Sequence, residues 1–294
     1  MYDIASLYSA SCAEDAISEL ARDPEAVVIA GGTDVLIKIR AGELAGCRLV
    51  SIHGIRELEG VTCRENGDLH IGPLTTFRGI TQSEVIRRCV PCLGEAADQA
   101  GGPQLRAMGT IGGNVCNGVT SADSASTLMA LDAIFRVRGP DGQRDIPISE
   151  WYRGVGKVAL RHAELLTCII IPRRHYEGFS GHYIKYAQRS AMDIATLGVS
   201  CLVKLSGDKA RAEQVRLAFG VAGPVPMRAL TAEAGAAGLP VDEAIEKIGA
   251  LALADVNPRT SWRASREFRM QLIKELSGRA LRQAVINGGG AVKC

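Results

Sequence analysis

The first fifty residues carry a helical pattern of apolar positions, followed by strand-like runs. Ala13, Ile17 and Leu20 recur at helical spacing and predict a helix that ends at about Arg22. A capping-box pattern at 11–14 marks its start. The next segments predict, in order, a fully buried strand, a Gly-Gly turn, a short helix and a second strand, at 26–30, 31–32, 35–39 and 48–52.

The pattern changes twice further along the chain. From about residue 56, short strands and helices alternate, at 69–72, 77–85, 124–132, 133–138 and 164–171. The residues Gly139-Pro140-Asp141-Gly142 predict a hairpin turn. The segment 101–123 is rich in turns and contains six glycines, and a polar stretch at 173–178 is the predicted linker. After the linker the pattern predicts a small antiparallel sheet and then helices, at 183–187, 196–205, 215–221, 241–254 and about 263–286.

The composition bounds the class of protein. A length of 294 residues suggests about two domains. The 34 basic residues nearly balance 32 acidic ones, which removes any whole-chain argument for nucleic-acid binding. Glycine is unusually frequent, with 33 residues, while aromatic residues are few: five Phe, two Trp and six Tyr. Such a chain uses many positions for tight turns or close backbone approach.

No secretory leader or membrane span is predicted. Residues 2–5 lack a basic and an apolar region, and no stretch approaches 18 apolar residues. The nine cysteines are scattered and odd in number, which predicts reduced thiols and a cytoplasmic protein. Cys89 and Cys92 have C-x-x-C spacing, but no second pair follows, so structural cysteines are favoured and no metal site is predicted.

Two glycine loops carry the candidate chemistry. The first, at 30–34, follows the predicted buried strand and opens a helix. A strand, a glycine turn and a helix in succession direct several N–H groups to one point, and this geometry binds phosphate. The second loop lies at 109–118. Either loop alone is more often only a turn, but two together suit the pyrophosphate of a dinucleotide.

Neither loop matches a common phosphate-binding fingerprint. The chain has no G-x-G-x-x-G and no G-x-x-x-x-G-K-[S/T], which disfavours a plain NAD dehydrogenase and a nucleoside triphosphatase. Asp123, ten residues after Gly113, has the chemistry to accept a hydrogen bond from a ribose hydroxyl. Its alternative role is that of a helix N-cap or first-turn acid, and both roles can hold together.

These motifs resemble the FAD-binding signature of the medium subunits of molybdenum hydroxylases, the family of xanthine dehydrogenase and carbon-monoxide dehydrogenase. The motifs are Ala30-Gly31-Gly32-Thr33-Asp34 and Thr110-Ile111-Gly112-Gly113-Asn114, with Asp123 downstream. The similarity continues in order along the chain, at 102–106, 154–157, 164–166, 185–189, 193–195 and 261–269.

The resemblance implies an α+β fold. Residues 1–175 would form an FAD-binding domain of the vanillyl-alcohol-oxidase (PCMH) type, with subdomains at about 1–55 and 56–175. Residues 180–287 would form a small α+β C-terminal domain with a three-stranded antiparallel sheet. FAD would lie between the two subdomains, with its pyrophosphate on the glycine loops, so that a side chain at Gly112 would crowd it.

The resemblance also implies the FAD contacts. Asp123 would bind the adenosine ribose, and Leu166 would pack on the flavin or adenine unless it is an ordinary core leucine. Lys185 would lie near the flavin ring, where a cation favours the anionic reduced form, although from the residues alone a solvated strand lysine is the commoner case. The full set is Val28, Ile29, Ala30, Gly31, Gly32, Thr33, Asp34, Val35, Thr110, Ile111, Gly112, Gly113, Asn114, Asp123, Leu166 and Lys185.

The implied activity is electron transfer, with no catalytic side chain of this chain's own. A large subunit would carry the molybdenum cofactor, and a small subunit would carry two [2Fe-2S] clusters that pass electrons to FAD. FAD would then reduce NAD+, and the substrate of the whole enzyme would be xanthine or a related purine. Some relatives carry a four-cysteine insertion for a [4Fe-4S] cluster, and this chain has none.

Other interpretations stay open. Four arginines, Arg259, Arg263, Arg266 and Arg269, are spaced to share one side of the predicted last helix, either as a solvated face or as a docking surface for another subunit. A self-contained flavin oxidase is one alternative function, although the 110 or so C-terminal residues leave little room for a substrate domain. A structural subunit without a cofactor is the other, and the intact glycine loops argue against it.

Overall fold

Three β-sheets, each packed against helices, organise the chain in the computed structural model, which describes residues 2–292. A two-stranded ribbon completes the β-structure of these residues. Of the nine predicted thiols, Cys294 lies outside the described residues. Cys92 is buried, as expected of a structural cysteine, whereas Cys89 is half-buried at the edge of the same core.

The N-terminal sheet is parallel and has the strand order β1-β3-β2. Its strand β2 was predicted to be fully buried, and this is wrong: all four residues are half-exposed because β2 lies at a sheet edge. Strand β1 was not predicted, since it is the other edge and its residues are exposed. The elements are β1 (Ile4–Ser9), α1 (Ala13–Arg22), β2 (Ala26–Ile29), α2 (Val35–Arg40) and β3 (Cys47–Ser51).

The start of α1 corrects the capping-box prediction. Cys12 is the N-cap and makes no capping bond with its side chain. The Ala13 N–H, which has no partner within the helix, donates to a Glu57 carboxylate oxygen at 2.8 Å. The Asp15 carboxylate accepts from the Ser11 N–H at 2.8 Å. A helix N-terminus needs acceptors for its first N–H groups, and here a residue 44 positions away supplies one.

The middle sheet is antiparallel, with the strand order β4-β5-β10-β6-β7. Its hairpin turns at the predicted Gly139–Gly142 position. The segment 101–123, predicted as turns, also contains two short helices. The elements are β4 (Val61–Cys63), β5 (Leu69–Ile71), α3 (Phe77–Gln82), α4 (Glu84–Cys89), α5 (Pro91–Asp98), α6 (Pro103–Met108), α7 (Ile111–Cys116), α8 (Asp123–Ala130), β6 (Ile134–Gly139), β7 (Gly142–Pro147), α9 (Ile148–Trp151), β8 (Tyr152–Gly154), β9 (Lys157–Val158) and β10 (Leu165–Ile171).

The C-terminal sheet contains the three predicted antiparallel strands and a short fourth one, in the order β11-β12-β13-β14. Helix α10 was not predicted. The last helix buries the predicted apolar face against this sheet, although Phe268 at its start is exposed. The elements are β11 (Phe179–Tyr186), β12 (Leu197–Leu205), β13 (Ala212–Gly220), β14 (Met227–Arg228), α10 (Leu230–Ala236), α11 (Val241–Ala252) and α12 (Arg266–Asn287).

The four arginines do not form a helical stripe, which corrects that expectation. Helix α12 begins at Arg266, so Arg259 and Arg263 lie in the segment before it. Arg269 faces the interior and is 2% exposed. Spacing alone predicted one face because the position of the helix start was misjudged by about one turn.

The C-terminal sheet and the middle region share a polar seam. The Ser200 hydroxyl on β12 lies 2.9 Å from that of Ser126 and 2.8 Å from that of Thr127, both on α8. All three side chains are buried. The hydroxyl groups satisfy one another there, so α8 is held against β12 by buried hydrogen bonds.

Candidate functional site

The first glycine loop presents unused backbone donors. The N–H groups of residues 31–35 donate to no acceptor among residues 2–292, whereas the next donor, Leu36 N–H, bonds to the Gly32 carbonyl at 3.0 Å. These groups precede and begin α2, where the helix dipole adds positive potential. A run of free N–H groups at the start of a helix suits an anionic oxygen ligand.

The two glycine loops face each other. A Cβ atom added at Gly31 would collide with the Met108 carbonyl group and lie 3.3 Å from the Gly109 nitrogen. On the far side of the loops, Lys38 Nζ donates to Asn117 Oδ1 at 3.0 Å. Glycine at position 31 is therefore required by loop-to-loop packing, and this contact brings the two predicted loops together.

The second loop differs from its prediction as a donor surface. It begins helix α7, and Thr110 is the N-cap, accepting from the Gly113 N–H at 3.1 Å. The Ile111 N–H donates to the Thr75 carbonyl at 3.0 Å, and the Gly112 N–H donates to the Pro73 carbonyl at 2.8 Å. These three donors are satisfied within the chain, so they are not free to bind a ligand.

The two glycines of the second loop have different surroundings. A Cβ at Gly112 would lie 2.6 Å from the Pro73 carbonyl oxygen and 2.9 Å from Pro73 Cα, so its side meets the protein backbone and not a ligand. This corrects the expectation that a side chain at Gly112 would crowd the pyrophosphate. A Cβ at Gly113 would meet only Thr110 Oγ1, at 3.0 Å, and Gly113 is exposed.

A buried aromatic pair supports α7 from behind. The Trp151 indole N–H donates to the Val115 carbonyl at 3.0 Å, and Trp151 is fully buried. Phe135 meets the indole edge-to-face with ring centroids 4.7 Å apart. Such a pair adds about 1 kcal/mol beyond the buried area, and it fixes the position of the second loop.

A charged cluster lies at the start of α8. Lys185 Nζ donates to Asp123 Oδ2 at 3.0 Å and to the Gln99 carbonyl at 2.8 Å. The Tyr183 hydroxyl donates to Asp123 Oδ1 at 2.9 Å. The lysine and aspartate side chains are only 6% and 11% exposed. Lys185 is therefore not a solvated strand lysine, and Asp123 is the first-turn acid that its alternative role required.

Burial shapes the protonation of this cluster. Desolvation raises the pKa of Asp123, while the Lys185 ammonium and the Tyr183 hydroxyl act in the opposite direction. Desolvation and the neighbouring Asp123 carboxylate raise the pKa of Tyr183 well above its usual value, so the phenol stays protonated as a donor. Lys185 and Asp123 thus meet in a poorly solvated position.

The remaining predicted contacts lie apart from this cluster. Val28 and Ile29 are half-buried residues at the end of β2, directly before the first loop. Asn114 lies on α7, and its Oδ1 accepts from the Ser124 hydroxyl at 2.7 Å, which joins the second loop to α8. Leu166 is 2% exposed in the middle core and pairs with Val137, as an ordinary core leucine does.

Sequence reasoning missed several residues that shape the site. Tyr183, Gln99 and Met108 contact predicted site residues, and none belongs to a glycine motif. Tyr183 carries a usable signal, because it stands two positions before Lys185 on a strand and so faces the same side. The other two contribute only backbone carbonyl groups, which leave no signal in the sequence.

Comparison with protein-family models gives two matches. Residues 3–174 match the model described as the FAD binding domain in molybdopterin dehydrogenase. Residues 182–284 match the CO dehydrogenase flavoprotein C-terminal domain. Together they account for most of the described chain.

Known proteins agree with these models. The chain is 41% identical over 294 residues, all of both chains, to the xanthine dehydrogenase FAD-binding subunit of Escherichia coli O157:H7. It is 30% identical to the carbon monoxide dehydrogenase medium chain of Afipia carboxidovorans, covering 92% of this chain and 93% of that one. The structure of a Cu,Mo-CO dehydrogenase chain superposes with a TM-score of 0.92 at 26% identity, covering 98% and 99% of the two chains.

No group of three or more His, Cys, Asp or Glu side chains within residues 2–292 is arranged to hold a metal ion. Within the same residues, no helix has the length and apolar character needed to cross a membrane.

Proposed function

We propose, from the premise that this chain belongs to the family of FAD-binding subunits of molybdopterin dehydrogenases, that it is the electron-transfer subunit of a xanthine dehydrogenase-like enzyme. Its likeness to the Escherichia coli subunit over the full length favours a purine substrate for the whole enzyme. The observation that carries the proposal is the row of free N–H groups at 31–35, in a loop that packs at Gly31 against Met108 and Gly109 at the start of the second glycine loop.

The first loop would hold the pyrophosphate of FAD. Each N–H group that donates to a charged oxygen contributes about 1.5–3 kcal/mol, and five such donors lie in succession. The second loop would close the site from the other side, with Gly113 exposed toward it. We assign Val28–Val35 and Thr110–Asn114 to these two walls, and Leu166 to the core behind them.

Asp123 and Lys185 would act together. Their charged atoms are 3.0 Å apart, whereas the sequence placed them at the ribose and the ring, which are distant parts of FAD. We propose that both lie at the flavin end. Asp123 and the Gln99 carbonyl would orient the Lys185 ammonium, and the ammonium would stabilise negative charge on the reduced ring.

When FAD is bound, it supplies the one-electron and two-electron chemistry that joins iron–sulfur clusters to a hydride acceptor. The residues of this chain bind it, orient it and keep a cation beside it. The electrons would come from two [2Fe-2S] clusters on a small subunit and, before that, from a molybdenum cofactor on a large subunit. NAD+ would be the acceptor, and the assembly would work in the cytoplasm. The proposed domains are 1–175, divided near 55, and 180–287, supported by the ranges of the two family models.

The spectrum of the purified chain tests FAD binding. We expect the visible flavin bands, about one FAD released per chain on denaturation, and no iron. A folded chain that takes up no FAD on reconstitution would contradict the proposal.

Anaerobic reduction tests the acceptor and the role of Lys185. NADH should bleach the flavin band of the wild-type chain, and Lys185→Met should slow this by about tenfold, equivalent to roughly 1.4 kcal/mol. Lys247→Met is the matched control, because that lysine is 56% exposed and pairs with Glu243 on the same helix. Equal rates for all three proteins would remove Lys185 from the mechanism.

A further inference from the structure

One large aromatic side chain stands out on the surface. Trp262 is 77% exposed, whereas Trp151, the other tryptophan, is fully buried. Exposing an indole forfeits the transfer free energy that burial of its large apolar surface provides. Trp and Arg are also the residues most enriched at the energetic centres of protein interfaces.

The backbone around Trp262 is rigid. Ser261 and Ala264 exchange two backbone hydrogen bonds, of 3.0 and 3.2 Å, which closes a turn with Trp262 and Arg263 at its tip. The side chain of Gln188 donates to the Arg263 carbonyl at 3.1 Å. The indole is therefore presented on a fixed turn and not on a loose loop, which lowers the entropy lost on docking.

A buried arginine holds this turn from below. Arg269 donates to Ser261 Oγ at 2.9 Å, to the Thr196 carbonyl at 3.2 Å and to the Arg259 carbonyl. It forms no ion pair with any residue in 2–292. A buried guanidinium without a carboxylate is costly, and here its bonds serve to order the segment that carries Trp262.

The turn carries unpaired positive charge. Arg259, Arg263 and Arg266 form no ion pair within the described part of the chain. Arg263 stacks over the indole with its Cζ atom 4.1 Å from the ring centroid, and its Nε atom is buried without a hydrogen-bond partner. An indole stacked with one unpaired guanidinium group, in a segment that carries two more, complements an apolar pocket with carboxylates at its rim.

We propose that the turn 261–264 docks this chain onto a partner subunit, with Trp262 inserted into an apolar pocket whose rim carries Asp or Glu side chains. The inference rests on the proposed function, since it concerns the assembly of that enzyme. A projecting turn offers no cavity of its own, so the concave surface must come from the partner. This favours a protein over a free nucleotide as the occupant.

The test compares affinity-tagged chains purified from the native host as the assembled enzyme. Iron and molybdenum per FAD measure how much partner is retained. We expect Trp262→Ala to lower both ratios by about tenfold or more, with the FAD content of the chain unchanged. Trp262→Phe should retain more partner than Trp262→Ala. Leu230→Ala, which truncates another exposed residue (62%), is the matched control and should match the wild type.

The outcomes separate the two proposals. A wild-type chain that carries FAD but brings no iron or molybdenum would overturn the proposed function. If the wild type brings both metals and Trp262→Ala brings as much, only the docking inference is overturned. Arg263→Glu should lower partner retention, and the loss should be larger at low salt than at high salt. The new carboxylate would repel the acidic rim of the pocket, and salt screens this repulsion. The alternative occupant is a free nucleotide. If NADH quenches Trp262 fluorescence in the isolated chain and Trp262→Ala still assembles, the turn binds the nucleotide and the docking inference is overturned.

Discussion

Alanine at two adjacent glycines should separate protein stability from cofactor binding. Gly112 and Gly113 both lie in the first turn of α7, so the two substitutions change the same helix by one methyl group each. The Cβ at Gly112 would lie 2.6 Å from the Pro73 carbonyl oxygen, and the Cβ at Gly113 would meet only Thr110 Oγ1 at 3.0 Å. One methyl group would meet the protein backbone, and the other would lie at an exposed position of the predicted loop.

The magnitudes follow from these contacts. Overpacking at Gly112 costs about 1–3 kcal/mol, and strain on the 2.8 Å bond from its N–H to Pro73 adds about 1 kcal/mol. The helix propensity of alanine returns about 1 kcal/mol, so Gly112→Ala should destabilise the protein by about 1–3 kcal/mol. At Gly113 the same gain is offset by weakening of the Thr110 cap, about 1 kcal/mol, which leaves a net change near zero.

The two substitutions should have the opposite order of effect on FAD binding: Gly113→Ala should weaken it more than Gly112→Ala does. Gly113 is exposed and its Cβ would meet only Thr110 Oγ1, so the methyl group of Gly113→Ala would crowd FAD if the pyrophosphate lies at this loop as proposed. We expect FAD to bind about tenfold more weakly or worse, a change of at least about 1.4 kcal/mol. Gly112→Ala should lose FAD only to the extent that the loop is distorted.

Two measurements on the apoprotein distinguish these effects. Urea denaturation without FAD gives the free energy of unfolding free of ligand linkage, and titration of flavin fluorescence gives the FAD dissociation constant. Wild-type FAD affinity in a stable Gly113→Ala chain would refute the placement of the pyrophosphate between the loops. An apoprotein of Gly112→Ala as stable as the wild type would refute the packing argument.

Three further predictions concern buried groups. Lys185→Met leaves Asp123 buried without its cation, at a cost of up to about 3–5 kcal/mol. Because burial already raises the pKa of Asp123, the folded variant holds a proton that the unfolded chain releases, so urea titrations should show a larger loss at pH 8 than at pH 5, and equal losses would contradict this. Burial raises the pKa of Cys116 to about 12, so mass spectrometry should find it unmodified by iodoacetamide in the native protein while the exposed Cys63 is alkylated. Arg269→Met removes the donor to three oxygen acceptors. The free energy of unfolding, measured by urea denaturation, should fall by no more than about 1–3 kcal/mol for each acceptor left unsatisfied.

Much of the fold was predictable because its signals are local. The apolar spacing at 13–20 predicted α1 with correct bounds, and the hairpin at Gly139–Gly142 followed from its turn residues. The fold class was confirmed by the superposition with CO dehydrogenase chains. Errors arose at edges and short elements: β1 and α10 were missed, and β2 is less buried than predicted, since burial of an apolar run depends on its neighbours.

The candidate site was only partly predictable. The glycine loops were found in the sequence, and the contacts assigned within them remain predictions. The sequence did not show that the N–H groups of Ile111, Gly112 and Gly113 are already bonded, because two of their acceptors lie on residues 73 and 75. It also gave no reason to join Asp123 to Lys185, which are 62 positions apart.

The sequence by itself determined most of the longer elements, the two glycine loops and the resemblance that led to FAD, because each depends on residues that are neighbours in the chain. The tertiary structure alone decided which donors stay free, that Glu57 caps α1, and that Arg269 is buried beneath Trp262 while its three predicted companions are not. These outcomes depend on which surfaces meet after folding, and a buried polar group is stable only where a distant partner arrives to satisfy it.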